Sequence, residues 1–102
     1  MKDITVEELK QKIDAGDKFY FIDVREPYEY AAENLEAVNI PLGNIPMKLE
    51  ELREYEDQEI IIHCRSGARS GNAKQFMVQA GFKNVRNVLG GILEWKNKFP
   101  NK

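Results

Sequence analysis

The sequence is poorest in the residues that bind metals or cross-link chains, with one cysteine and one histidine in 102 residues. A lone cysteine, Cys64, closes no internal disulfide. One cysteine, one histidine and no Cys-x-x-Cys fall short of the usual metal ligand sets, so neither a metal nor a cofactor is expected. No apolar run approaches the ~18 residues of a membrane span. The opening Met1-Lys2-Asp3-Ile4-Thr5-Val6 lacks the apolar stretch of a signal peptide. Fifteen Lys and Arg against seventeen Asp and Glu leave a net charge of −2, with no basic excess to hold nucleic acid. There is no Gly-x-x-x-x-Gly-Lys phosphate loop, and no linker, repeat or low-complexity tract. These absences predict one domain over residues 1–102 that engages neither membrane nor nucleic acid. A thiol that must stay reduced adds a cytoplasmic setting.

What is present suffices for a core: 42% of the residues are hydrophobic, in a chain of a size that buries about 60–70% of its unfolded surface. Thr5 and Glu8 have capping-box spacing, with Ile4 and Leu9 as a hydrophobic staple. Leu9 and Ile13 continue the apolar face until Gly16 stops the helix. Phe19 to Val24 reads as a strand, and Pro27 opens a short helix through Tyr30. Val38 to Ile40 is a second strand, ended by Pro41. Pro46 starts a helix carrying Met47, Leu49 and Leu52 inward. Glu59 to Cys64 is the central strand, and Ser70 to Ala80 a helix with Gly81 as its cap and with Phe76 and Met77 in the core. Val85 to Val88 is the last strand, and Gly90-Gly91 turns into a helix anchored by Trp95. Strands alternating with helices predict an α/β fold with a mainly parallel sheet covered on both faces.

The chemistry concentrates in Cys64-Arg65-Ser66-Gly67-Ala68-Arg69-Ser70, where an apolar strand ends and a loop turns into a helix. Small residues there let successive N–H groups converge into an anion-binding nest. The helix start adds partial positive charge, and Arg65 and Arg69 add two full charges. Each favours a thiolate over a thiol, so Cys64 is the candidate nucleophile. Arg65 and Arg69 are candidate anion binders through their guanidinium forks, and which of them faces the substrate is open. Ser66, Gly67 and Ala68 are expected to act through their backbones. Ser70 reads as the helix N-cap, with a hydrogen bond to sulfur as the alternative. His63 adjoins the nucleophile, but neighbours on a strand face opposite ways, which makes it structural. Asp23, at a strand's carboxyl end with Arg25, either braces the reactive loop or caps its own strand.

This loop resembles the active-site loop of the rhodanese family of sulfurtransferases. Phe21-Ile22-Asp23-Val24-Arg25-Glu26, Glu29-Tyr30, Asn39-Ile40-Pro41-Leu42 and Gly90-Gly91-Ile92 with Trp95 and Pro100 resemble the family's other segments in the same order. One stretch departs. Glu33-Asn34-Leu35-Glu36-Ala37 is about a residue shorter than the family's Gly-His-Ile-Pro-Gly-Ala and lacks its histidine and glycines. The resemblance implies a five-stranded sheet, the first strand short and near Ile4. It also implies sulfur transfer from thiosulfate or a persulfide, through a Cys64 persulfide, to a thiophilic acceptor such as cyanide or a thiol. The expected partners are small sulfur anions, thiols, and a donor or acceptor protein. Two alternatives accompany this reading. One is a partner-dependent persulfide carrier or binding module. The other is a phosphatase or arsenate reductase, related folds that place five residues between Cys and Arg, whereas four separate Cys64 from Arg69.

Overall fold

The computed structural model describes residues 2–100. Its elements run α1 (Val6–Ala15), β1 (Tyr20–Asp23), α2 (Pro27–Ala32), β2 (Val38–Asn39), α3 (Ile45–Leu52), β3 (Glu59–His63), α4 (Ala68–Gln79), β4 (Asn84–Asn87) and α5 (Gly91–Lys98). The four strands form one parallel sheet in the order β2-β1-β3-β4. The expected fifth strand is reduced to a single bridge between Ile4 and Val88. Ile4 donates to the Asn87 carbonyl and accepts from the Leu89 N–H. The next residue, Thr5, already caps a helix, so the pairing cannot run on past Ile4 toward α1.

The apolar run of β3 splits by the period of two that a strand imposes. Ile60, Ile62 and Cys64 join a core with Ile45 and Leu52 of α3 and Ala73 and Met77 of α4. Ile61 joins the opposite core, with Val6 and Leu9 of α1 and Trp95 of α5. Both faces of the sheet are therefore covered by helices. Trp95 also meets the Phe99 ring edge-on at 5.0 Å.

Local signals decide most helix ends. Thr5 Oγ1 accepts the Glu8 N–H at 3.1 Å, and Gly16 closes α1 at φ 74°. The Glu8 carboxylate is turned to Arg86 at 2.9 Å rather than back to the cap. α3 begins one residue before Pro46 and buries Ile45 and Leu52, while Met47, expected inward, is 76% exposed. Phe76, also expected in the core, lies on the outer side of α4 and is 39% exposed, whereas Met77 is buried. In the segment that departs from the family pattern, Glu36 takes φ 65°. Asn34 Oδ1 accepts the Glu36 N–H at 2.8 Å, an Asx-type turn that supplies what a glycine would otherwise give.

Candidate active site

In a parallel sheet all strand carboxyl ends lie at one edge, where ligands bind. Asp23, Cys64 and Asn87 share that edge, at the ends of β1, β3 and β4. Cys64 follows β3 directly, and residues 65–67 form the whole turn before α4. Gly67 rather than Ser70 is the helix N-cap, at φ 107°, a left-handed conformation that glycine adopts without a Cβ penalty. That turn aims N–H groups at sulfur. Gly67 N–H lies 3.1 Å from Cys64 Sγ and Ser70 N–H 3.4 Å from it. Ser70, two residues inside α4, brings its hydroxyl oxygen to 3.3 Å from Sγ and 2.5 Å from Asn87 Oδ1.

The carbonyls at the start of the turn point away from sulfur because α5 holds them. Ile92 N–H donates to the Cys64 carbonyl at 2.9 Å and Leu93 N–H to the Arg65 carbonyl at 3.1 Å. Gly91 makes this approach possible: a Cβ there would fall 2.5 Å from both carbonyl oxygens, at φ 59°. With carbonyls drawn outward and N–H groups turned inward, the loop presents a positive concavity to Sγ. Burial pushes the Cys64 thiol up. A Ser70 hydroxyl hydrogen, where it points at sulfur, and the N–H groups of Ser70, Gly67 and Ser66 pull it down, to below the ordinary thiol value. The residue is 1% exposed, so sulfur sits beneath its own loop.

The two arginines take different positions. Arg69 spans forty residues to grip Glu29 with both guanidinium ends, at 2.7 and 2.9 Å. This pairing holds the Glu29 carboxyl at about 2. Arg65 is exposed, and among the described residues no carboxylate pairs with it. It lines a cleft of about 280 Å³ beside the loop, together with Tyr28, Glu29, Leu93 and Lys96. Ser66 and Ala68 are exposed on the turn.

Asp23 does not contact the reactive loop. Its carboxylate accepts the Arg25 backbone N–H at 2.9 Å and the Arg25 guanidinium at 2.8–3.1 Å. Arg25, 3% exposed, then donates to the Glu33 carbonyl at 2.9 Å and the Glu29 carbonyl at 3.5 Å. A buried cation thus satisfies carbonyls at the end of α2 and fixes the helix that carries Glu29. The two residues reach the loop through α2. His63 stands on the opposite face from Cys64, with its ring 5.3 Å from that of Phe21. Burial pushes its pKa down, against the opposing pull of Asp23 and the Cys64 carbonyl, and keeps it neutral. Among the described residues no cluster of His, Cys, Asp and Glu could hold a metal ion, and no helix is long and apolar enough to cross a membrane.

Three residues at the site escaped the sequence reading. Glu29 was visible as part of a motif but not as the partner of Arg69. Gly91 was visible as a turn residue, not as the seat of two carbonyls. Asn87, whose Nδ2 donates to the Gly67 carbonyl at 3.1 Å, carried no signal.

Residues 5–98 match the model of the Rhodanese-like domain. The Bacillus subtilis protein YtwF, provisionally named a sulfurtransferase, is 42% identical across all of this chain and 97% of its own length. YrkF of the same species, provisionally named a sulfur carrier protein, is 40% identical over 94% of this chain, which spans 51% of it. Among solved structures, a rhodanese-like domain protein from Staphylococcus aureus superposes with a TM-score of 0.83 at 31% identity, covering 93% of this chain and 91% of that one.

Proposed function

Because the chain belongs to the rhodanese-like domain family, we propose that it is a sulfurtransferase that carries sulfur as a persulfide on Cys64. The observation that carries this reading is the set of donors converging on one sulfur atom: the N–H groups of Gly67 and Ser70 within 3.4 Å of Sγ. Such donors stabilise negative charge on sulfur before attack and on the terminal sulfur afterwards. The Cys64 thiolate attacks the outer sulfur of thiosulfate. One S–S bond forms, the S–S bond of the donor breaks, and sulfite leaves with the electron pair. A persulfide donor reacts alike, releasing its thiolate. A thiophilic acceptor, cyanide or a thiol, then takes the terminal sulfur and regenerates Cys64, a ping-pong scheme that needs neither cofactor nor metal.

Arg65 is the arginine that meets the donor, since its side chain lines the cleft while that of Arg69 is committed to Glu29. Ser66 and Ala68 contribute backbone, and Asp23 and Arg25 support the loop by fixing α2. A thiol that must stay free fits a reducing, cytoplasmic setting. The test is thiosulfate:cyanide turnover by the wild type and by Cys64→Ser. The variant should fold and lose turnover, because a hydroxyl is far less acidic and forms no persulfide. Turnover in Cys64→Ser near that of the wild type would overturn the assignment.

A second reading, a persulfide carrier served by a partner protein, is favoured by the name of YrkF and by the burial of Cys64 beneath its loop. Cys64 that loads from thiosulfate but discharges to no small acceptor would support the carrier. Steady small-molecule turnover supports the enzyme.

A further inference from the structure

The Ser70 hydroxyl has one hydrogen and two acceptors in reach. Its oxygen lies 3.3 Å from Cys64 Sγ and 2.5 Å from Asn87 Oδ1. Two oxygens 2.5 Å apart require the hydrogen between them, since otherwise lone pairs face each other well inside a normal hydrogen-bond distance. Asn87 cannot relieve the conflict by turning its amide. Its Nδ2 donates to the Gly67 carbonyl at 3.1 Å, and a flip would set two carbonyl oxygens against each other there. Nor can the residue swing aside: its own N–H donates to Asp3 Oδ1 and its carbonyl accepts from Ile4.

We infer that Asn87 is a positioning residue that holds the Ser70 hydroxyl hydrogen on its own Oδ1 and withholds it from Cys64 Sγ. Ser70 then turns a lone pair, not a hydrogen, toward sulfur. The stabilisation of a thiolate falls to the backbone N–H groups, and the hydroxyl opposes it. This has a chemical use. A thiolate made too stable is a poorer nucleophile, and attack is fastest when the thiol titrates near ambient pH. The same Asn87 amide fixes the Gly67 carbonyl and so the turn that aims the N–H groups at sulfur. One side chain, on the strand next to the one carrying the nucleophile, sets both the loop's shape and the proton's direction.

This inference rests on the reading of Cys64 as the nucleophile, but its test needs no turnover, so the two fail separately. Cys64 is the chain's one cysteine, so thiolate absorbance and iodoacetamide alkylation report on it alone. Its titration midpoint is measured in the wild type, Ser70→Ala, Asn87→Ala and the double variant. Asn87→Leu, which keeps the side-chain volume without polar atoms, repeats the cycle should the smaller residue loosen the fold. Any effect of losing the Gly67 hydrogen bond is common to both Asn87 members and cancels. The charged and titratable groups around the site are left unchanged: Arg65 of the loop, Arg69 of α4 with Glu29 of α2, His63 of β3, Asp23 and Arg25 after β1, Lys96 of α5, and Asp3 behind Asn87. In the wild-type background Ser70→Ala should leave the midpoint unmoved or lower it slightly. With Asn87 replaced, the hydroxyl is released to sulfur, and Ser70→Ala should raise the midpoint by about one unit, a tenfold change in thiolate fraction below it. A rise of about one unit for Ser70→Ala in the wild type already overturns the inference. So does an equal effect of Ser70→Ala in both backgrounds.

Discussion

At the scale of single residues, the site is one sulfur atom and the few groups that decide its charge. With the Cys64 thiol held below its ordinary value, the thiolate fraction rises with pH through a midpoint under ~8.5. Iodoacetamide alkylation should follow that midpoint. A rate that climbs only above ~8.5 would mean that the loop does not stabilise a thiolate. Glu29 tests the division of labour between the arginines. Glu29→Gln keeps an oxygen for the Glu26 N–H, which Glu29 Oε1 accepts at 2.9 Å, yet removes the charge that occupies Arg69. The KM for thiosulfate should fall severalfold, most at low salt. An unchanged KM with unchanged salt dependence would show that Arg69 gains no hold on the donor. The lost pair, partly exposed, is worth about 0.5–1 kcal/mol, or some ~2–8 °C in Tm. The sign with pH is fixed by the depressed carboxyl. The pair's contribution is complete above the ordinary value of 4.5 and is lost as pH falls through about 2. The Tm gap between wild type and variant should therefore close across that window. The turn that surrounds Cys64 was legible because it is contiguous in sequence. The allegiance of Arg69 was not, because its partner lies forty residues away and one-dimensional spacing says nothing of which charge meets which.

At the scale of elements, the reactive loop is held from behind by α5 and from the side by α2. Gly91→Ala would drive a Cβ to 2.5 Å from two carbonyl oxygens and impose a left-handed conformation on alanine, which alone costs about 1–2 kcal/mol. The total should exceed about 2 kcal/mol, with Cys64 alkylation losing its low midpoint as the carbonyls turn. Gly16→Ala is the control: φ is also positive, but nothing lies within 4 Å of the added carbon, so only the conformational cost remains. Equal urea midpoints for the two variants would remove α5 as the loop's brace. Helix boundaries given by local chemistry were readable, as at Thr5 and Gly16. Ser70 was misread because a serine before an apolar helical run signals a cap. The actual cap is Gly67, chosen by the backbone turn that the sulfur site needs. Met47 and Phe76 were misplaced for a related reason: each adjoins the apolar stripe of its helix, and only the packed partner decides which side of the stripe is buried.

At the scale of the whole molecule, alternating strands and helices were enough to predict a parallel sheet with two covered faces. The residues themselves read as four strands, the number in the sheet; the fifth, implied by the family resemblance alone, is a single bridge at Ile4 that leaves no apolar run to read. The fold brings three strand ends together so that β3 supplies the proposed nucleophile, β4 the residue behind it, and β1 with α2 the clamp on Arg69. We propose that this convergence serves to hold sulfur on Cys64. Intact mass spectrometry of the full chain after incubation with thiosulfate, and separately with an organic persulfide, tests it most directly. The wild type should gain one sulfur atom, removed by cyanide or by excess thiol, and Cys64→Ser should gain none. A folded wild-type protein that takes up no sulfur from either donor, or a Cys64→Ser variant that still takes it up, would contradict it.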